Sequence, residues 1–159
     1  MSYLSAAADS MISLEMPDEI QSLSSVQVWA GLPVPLAGTP GDERDFVKRL
    51  GRHAIVDVSG ADSSLEVADA TSLLTAMATA CGATLLTTQT HQFGEGHGLT
   101  AIAVLAESHI SMHEWPEHRF VAFDIFVCGS ADPEPAIDVI RSRYPSARIQ
   151  VKVMERGSR

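Results

Sequence analysis

The feature of this sequence that most constrains its fold is a crowded run of strand-like segments between two helical ones. A first strand is predicted at 53–58, HAIVDV, where it is closed by Ser59 and Gly60, and a last one at 147–155, where apolar and polar residues alternate. Between them, three or four strands follow in quick succession, at 83–93, 99–106, 109–115 and 119–127. So many short strands joined by turns predict a mainly antiparallel sheet.

Two segments carry a helical pattern. Residues 64–80 place apolar side chains on one stripe and stop at Cys81 and Gly82, where the glycine supplies a C-terminal cap. Residues 133–144 open with Pro133, which is favoured in the first turn of a helix. The order β-α-β-β-β-α-β predicts an α+β fold, a two-layer sandwich with a mainly antiparallel sheet and helices on one face.

The charge balance limits the class of partner. The chain has 159 residues, which indicates one domain of ordinary size, and a net charge of −9. Nucleic acid is disfavoured because there is no basic stripe to neutralise phosphates, whereas a cationic small molecule suits the charge. No stretch approaches the apolar length of a membrane span. Two cysteines, Cys81 and Cys128, predict reduced thiols in a cytoplasmic protein.

The acidic charge is concentrated near the N terminus. Residues 1–43 contain six Asp or Glu and no Lys or Arg, whereas a secretory or mitochondrial leader needs early positive charge. Residues 31–43 are rich in Pro and Gly, which is typical of a linker. We therefore assign 1–46 to an acidic extension, partly disordered or packed as an arm on a partner, and 47–159 to the folded domain.

Residues 106–118, AESHISMHEWPEH, place many ionisable side chains between two apolar strands. Each must find a partner or be desolvated at a cost, and most buried polar groups are simply hydrogen-bonded. A metal site is disfavoured, because His109 and His113 lie about 13 Å apart along a strand and cannot meet one ion. A hydrolase triad of Ser108, His113 and Asp124 has suitable residue types but lacks the GxSxG elbow.

Several ordered motifs run through this region. They are Glu107-Ser108-His109, then His113 five residues after the serine, then Trp115-Pro116-Glu117, then Phe126-Val127-Cys128-Gly129. Further short motifs are GRH at 51–53, GAT at 82–84, HQF at 91–93 and ERG at 155–157. Over residues 49–157 the chain closely resembles the prokaryotic-type S-adenosylmethionine decarboxylase proenzymes, which depend on a pyruvoyl group.

The resemblance implies that the chain cleaves itself. In this family the serine hydroxyl attacks the preceding carbonyl, here that of Glu107, and the amide becomes an ester. β-Elimination then splits the chain between 107 and 108 and leaves a pyruvoyl group derived from Ser108. His113 is the implied base for the α-proton, since histidine changes charge near neutral pH. Thr100 stands where the family commonly has serine. Threonine keeps the hydroxyl group, but its extra methyl group makes the side chain bulkier and stiffer than serine, so the resemblance implies either slower processing or an altered pocket.

The resemblance also implies the later chemistry. The pyruvoyl carbonyl forms a Schiff base with the substrate amino group and accepts the electrons released when CO2 leaves. Cys128 is the implied donor of the proton to carbon, although a free cysteine is most often a small buried apolar residue. Phe93 is implied to stack on the adenosyl group and to attract the sulfonium, and Glu117 to bind the ribose hydroxyls. Taken alone, Phe93 is an ordinary aromatic at a strand end and Glu117 a solvated acid.

Alternatives remain open beside S-adenosylmethionine decarboxylation for spermidine biosynthesis. Relatives with the same machinery decarboxylate arginine or ornithine, which are cationic as well. A non-processing regulatory relative would keep the fold without the chemistry; Ser108, His113 and Cys128 together argue against it, while the acidic extension keeps it open. Homologues assemble as dimers with a shared active site, so the resemblance implies a homodimer of processed protomers.

Overall fold

The computed structural model describes residues 50–62, 64–94 and 96–157, so the extension predicted at 1–46 lies outside the described residues. The elements follow in the order β1 Gly51–Ser59, α1 Val67–Ala80, β2 Leu85–Gln92, β3 Leu99–Leu105, β4 Ser108–Trp115, β5 Phe120–Cys128, α2 Glu134–Arg143 and β6 Arg148–Arg156. A single 3-10 turn, Pro116–His118, joins β4 to β5. Among the described residues, no helix has the length and apolar character needed to cross a membrane.

The strands form one sheet in the order β2-β3-β4-β5-β1-β6, and every pairing between neighbours is antiparallel. This confirms the predicted α+β class. Four strands lie between the helices, one more than the order β-α-β-β-β-α-β contains, so that order was wrong by one strand. The four ranges predicted within the run, 83–93, 99–106, 109–115 and 119–127, each contain most of one strand from β2 to β5, so the error lies in the summary order alone.

The hydrophobic core lies between the helices and one face of the sheet. Side chains alternate along a strand, and on β5 the alternate residues are fully buried while those between them are half-buried. The buried set on this face includes Val121, Phe123 and Ile125, packed with Leu74 of α1 and Ile140 of α2. The opposite face carries the histidines of β4, and neither α1 nor α2 lies over it.

Helix α1 ends where the sequence predicts. Gly82 adopts a φ of 69°, and its N–H donates to the carbonyl of Thr79 at 3.0 Å. A left-handed residue at this position suits glycine, which has no Cβ to clash. The preceding Cys81 is buried, and burial raises the pKa of its thiol to about 11, so little reactive thiolate forms near neutral pH.

Candidate active site

The bond predicted to be cleaved lies at the start of β4. Ser108 has a φ of 153°, a conformation that residues with a side chain rarely adopt and that costs about 1–3 kcal/mol. At this torsion the Cβ of Ser108 lies on the same side of the N–Cα bond as the carbonyl carbon of Glu107. In a regular strand or helix the same two atoms point well away from each other. The strained backbone therefore turns the serine side chain toward the carbonyl that it would attack.

The carbonyl oxygen of Glu107 accepts two hydrogen bonds from Cys128, the last residue of β5. The backbone N–H of Cys128 lies 3.2 Å from this oxygen and the Sγ lies 2.7 Å from it. The carboxylate of Glu107 is bound in turn by Thr84, from its N–H at 2.8 Å and its Oγ1 at 3.2 Å. Donors aimed at a carbonyl oxygen stabilise the negative charge that develops there on nucleophilic attack.

A second cluster lies toward the other end of β4. The strand register sets Thr100 of β3 beside His113, and their Oγ1 and Nδ1 atoms are 2.9 Å apart. The ring of His113 also packs on the ring of Trp115, with centroids 5.9 Å apart. The hydroxyl of Thr100 therefore fixes the orientation of the predicted base.

A cavity of about 340 Å³ opens beside this second cluster. Both residues implied to bind the substrate line it, together with the predicted base. Phe93 is 62% exposed, so its ring offers a face for stacking, and Glu117 is exposed on the 3-10 turn. The described lining residues are Phe93, His97, Gly98, Leu99, Thr100, His113, Glu114, Trp115 and Glu117.

The two clusters are distant from each other within one chain. Ser108 and His113 are five residues apart on a strand, which corresponds to about 16 Å at the usual rise per residue. The structure therefore joins Ser108 to Glu107 and Cys128, and separately joins His113 to Thr100 and the cavity. It does not bring the predicted base to the predicted cleavage residue of the same chain.

Neither the hydrolase triad nor a metal site is assembled among the described residues. Asp124, the acid of the hydrolase triad, contacts His53 through Oδ1 and Nε2 at 3.1 Å, while His113 contacts Thr100. Within residues 50–62, 64–94 and 96–157, no group of three or more His, Cys, Asp or Glu is placed to hold a metal ion.

Two side chains that had no assigned role also belong to this region. His109 Nδ1 lies 3.4 Å from Ser108 Oγ, a contact that their adjacency could have suggested.

Glu114 is only 4% exposed, and both of its carboxyl oxygens lie within 3.2 Å of the N–H of Leu65. Burial raises the pKa of Glu114. The sequence offered one signal of this burial: Glu114 lies two residues after Met112, on the core-facing side of β4.

Known proteins resemble this chain over most of its described residues. The family profile described as S-adenosylmethionine decarboxylase matches residues 52–157. The S-adenosylmethionine decarboxylase proenzyme of Methanococcus aeolicus is 41% identical over 115 residues, covering 70% of this chain and 97% of that protein. The proenzyme of Pyrobaculum aerophilum is 42% identical over 106 residues, covering 64% and 84%. The crystal structure of the adenosylmethionine decarboxylase from Aquifex aeolicus superposes with a TM-score of 0.61 at 37% identity, covering 70% and 93%. The chain belongs to the S-adenosylmethionine decarboxylase family.

Proposed function

We propose that this chain is a proenzyme that cleaves itself between Glu107 and Ser108 and then decarboxylates S-adenosylmethionine, giving the aminopropyl donor for spermidine biosynthesis. The observation that carries the proposal is the backbone at that bond. Attack of Ser108 Oγ on the Glu107 carbonyl closes a five-membered ring, which requires the serine Cβ and the carbonyl carbon to lie on the same side of the N–Cα bond. The φ of 153° at Ser108 supplies this arrangement before any reaction.

The neighbouring side chains fit such a cleavage. Negative charge develops on the Glu107 oxygen during the attack, where the N–H and thiol of Cys128 already donate. Thr84 holds the other end of Glu107 and limits its movement as the new bond forms. The later elimination requires a base for the α-proton of Ser108, and we assign that role to His113, whose ring Thr100 orients.

The prosthetic group of the proposed enzyme is the pyruvoyl group made from Ser108, which supplies an electron sink for decarboxylation of an amino acid. The residues around the bond fit this group, because Cys128 already lies against the Glu107 carbonyl, next to the residue that is converted. Its thiol is therefore placed to deliver a proton to the substrate carbon. Both cysteines are free, which suits our assignment to the cytosol, where thiols stay reduced.

We further propose that the active site forms between two copies of the chain. Each copy holds the Ser108 cluster and the His113 cluster about 16 Å apart on β4. The sheet face that carries His113, His109 and Cys128 is covered by neither α1 nor α2. On this face, Ile102, Val104 and Trp115 are 37–39% exposed. A second copy packed on this face around a two-fold axis brings its His113 to Ser108 of the first, and generates two equivalent sites.

The cavity next to His113 supports the choice of substrate. An exposed aromatic ring attracts a positively charged sulfonium and stacks on a purine, and a carboxylate accepts hydrogen bonds from ribose hydroxyls. Phe93 and Glu117 offer these two groups on the wall of one cavity. Arginine and ornithine have neither a purine nor a ribose, so neither would use this pair fully.

The intact mass of the purified protein under denaturing conditions tests self-cleavage. Two fragments of about 11 and 6 kDa are expected, since the 17.0 kDa chain divides into 107 and 52 residues. The smaller fragment should have a blocked N terminus, as a pyruvoyl group replaces the amino group of residue 108. A single chain that stays intact on long incubation would instead identify a non-processing relative.

The substrate is tested by decarboxylation assays on purified variants. Phe93→Ala and Glu117→Gln should lose activity with S-adenosylmethionine, while Glu66→Gln, at an exposed acid on the loop before α1, serves as the matched control. Activity of the unchanged protein on arginine or ornithine, with none on S-adenosylmethionine, would refute the substrate assignment without affecting the cleavage result.

A further inference from the structure

We propose that His109 is the general base that takes the hydroxyl proton of Ser108 when the amide becomes an ester, and that His113 acts only afterwards, in the elimination. The inference rests on the proposed self-cleavage and assigns a residue to its first step. Without a base the serine hydroxyl is a weak nucleophile, so this step needs an acceptor for its proton.

The contact between His109 and Ser108 is that expected of a general base before the reaction begins. Nδ1 of His109 lies 3.4 Å from Ser108 Oγ, so the hydroxyl donates to this nitrogen when the ring carries its own proton on Nε2. A working base needs to approach to about 2.6–3.2 Å, and such contacts are commonly longer before the reaction begins. A small rotation of the serine side chain closes the difference.

The ring of His109 is positioned by an aromatic neighbour. Across the strand register it meets Phe126 edge-on, with ring centroids 5.9 Å apart. Phe126 lies directly over Gly51, since a Cβ at that glycine would be 2.7 Å from the ring. His53 packs on Phe126 at 5.6 Å, and the guanidinium of Arg156 lies 5.7 Å from its centroid. Phe126 is therefore confined on several sides and in turn limits the orientation of His109.

The other candidates for the base are less suitable at this step. His113 of the same chain is about 16 Å from Ser108 along β4. In the copy that would reach Ser108, as in this one, Nδ1 of His113 is already engaged by Thr100. Cys128 directs its thiol hydrogen at the Glu107 oxygen, so it is arranged as a donor. Of the side chains that the structure describes, His109 is the one with a basic nitrogen in contact with Ser108 Oγ.

The proposed step is an isomerisation that needs no further reagent. His109 Nδ1 takes the proton from Ser108 Oγ while the oxygen bonds to the Glu107 carbonyl carbon, and the charge on the carbonyl oxygen is stabilised by Cys128. The C–N bond to residue 108 then breaks, and the proton on His109 passes to the nitrogen that leaves. An ester and a free amine result, and His109 returns to its neutral form.

Two substitutions separate basicity from hydrogen bonding. His109→Asn places an amide oxygen near the position of Nδ1, so it keeps an acceptor for the serine but cannot take its proton. His109→Ala opens a space that added imidazole can enter. His118→Ala, at an exposed histidine on the 3-10 turn, is the matched control. Freshly synthesised chains are followed by intact mass over time, with and without hydroxylamine, which cleaves an ester and leaves an amide intact.

The expected result is a fall of about 100-fold or more in the cleavage rate for His109→Asn, a typical loss for a general base. The uncleaved chain should resist hydroxylamine, and imidazole should restore cleavage of His109→Ala. The His113→Ala chain should instead accumulate a species that hydroxylamine cuts at residue 108. Equal circular dichroism spectra and melting temperatures show that the variants are folded.

Either of two results would overturn the inference. His109→Asn could cleave within a few-fold of the unchanged protein, which would reduce the residue to a hydrogen-bond acceptor. Alternatively, the His109 variants could accumulate the hydroxylamine-sensitive ester, which would move their role to the elimination. An unchanged chain that never cleaves refutes the proposed function itself and this inference with it, so the two failures are distinguishable.

Discussion

Removal of the Cys128 thiol should slow self-cleavage without abolishing it. In Cys128→Ala the backbone N–H at 3.2 Å from the Glu107 oxygen remains, and the thiol at 2.7 Å is lost. Loss of one donor to a developing oxyanion commonly costs about 100- to 1000-fold in rate. A thiol is a weak donor, so we expect a smaller effect, about 10- to 100-fold, which corresponds to about 1.4–2.7 kcal/mol at the transition state.

The serine variant should separate the two roles of Cys128. A hydroxyl donates a hydrogen bond more strongly than a thiol, so Cys128→Ser should cleave within a few-fold of the unchanged protein. The same hydroxyl gives up its proton far less readily, so protonation of the substrate carbon should become slow. We therefore expect Cys128→Ser to form both fragments and to release little decarboxylated product.

The assay follows newly synthesised chains by denaturing gel and intact mass, and decarboxylation is then measured on the cleaved fraction alone. Ser108→Ala provides the uncleavable reference. Cys81→Ala, at the buried thiol that ends α1, controls for loss of a cysteine in general. Cleavage of Cys128→Ala at the rate of the unchanged protein would show that the thiol does not activate the Glu107 carbonyl, and the argument from its hydrogen bond would be wrong.

Three further predictions follow from contacts of the described residues. Thr100→Ser should form the two fragments at the normal rate, whereas Thr100→Val, which loses the contact at 2.9 Å with His113, should slow their formation by about 10-fold, measured by intact mass over time. Gly98→Ala should lower the melting temperature by several degrees, because its Cβ would lie 1.9 Å from the carbonyl oxygen of Glu114; an unchanged melting temperature would contradict this. In a Ser108→Ala background, Glu114→Gln should gain stability relative to Glu114 as the pH rises. Burial raises the folded-state pKa of Glu114, so the folded chain binds its proton more tightly, and ionisation destabilises it above the ordinary glutamate pKa of about 4.3. Urea unfolding between pH 4 and 7 tests this, and a constant difference between the two proteins would refute it.

The fold could be predicted because its periodicities are local. Strict alternation on β5 and the apolar stripe of α1 are both readable from neighbouring residues, and Gly82 marks the helix end. The limits of two strands were predicted less accurately: they were expected at 99–106 and 109–115, whereas a turn of only two residues, after Leu105 and before Ser108, separates them. The apolar pattern continues across a connection of that length, while the change of direction depends on the backbone angles at the turn.

The site was only partly predictable, for a different reason. The motifs gave the residue types and their order, but not which of them meet. His113 lies on the same strand as Ser108, and strand geometry alone places them far apart, so the cooperation that we propose between them requires a second copy of the chain. Glu114 could not be assigned either, because its partner Leu65 is 49 residues away along the chain.

The contacts of Cys128 impose an order on the two reactions that we propose for this chain. Its thiol hydrogen is directed at the Glu107 oxygen, and one hydrogen cannot also serve the substrate carbon while that bond persists. Thr84 binds the carboxylate of Glu107, and Ala106 N–H donates to the Thr84 carbonyl at 2.9 Å, so the strained turn stays against the thiol in the intact chain. The proposed cleavage would break the connection at Ser108, relieve the strain there and allow Glu107 to leave the thiol. In the mechanism that we propose, the same side chain then acts as a proton donor, so self-cleavage would supply both the reactive carbonyl and the free acid that decarboxylation requires.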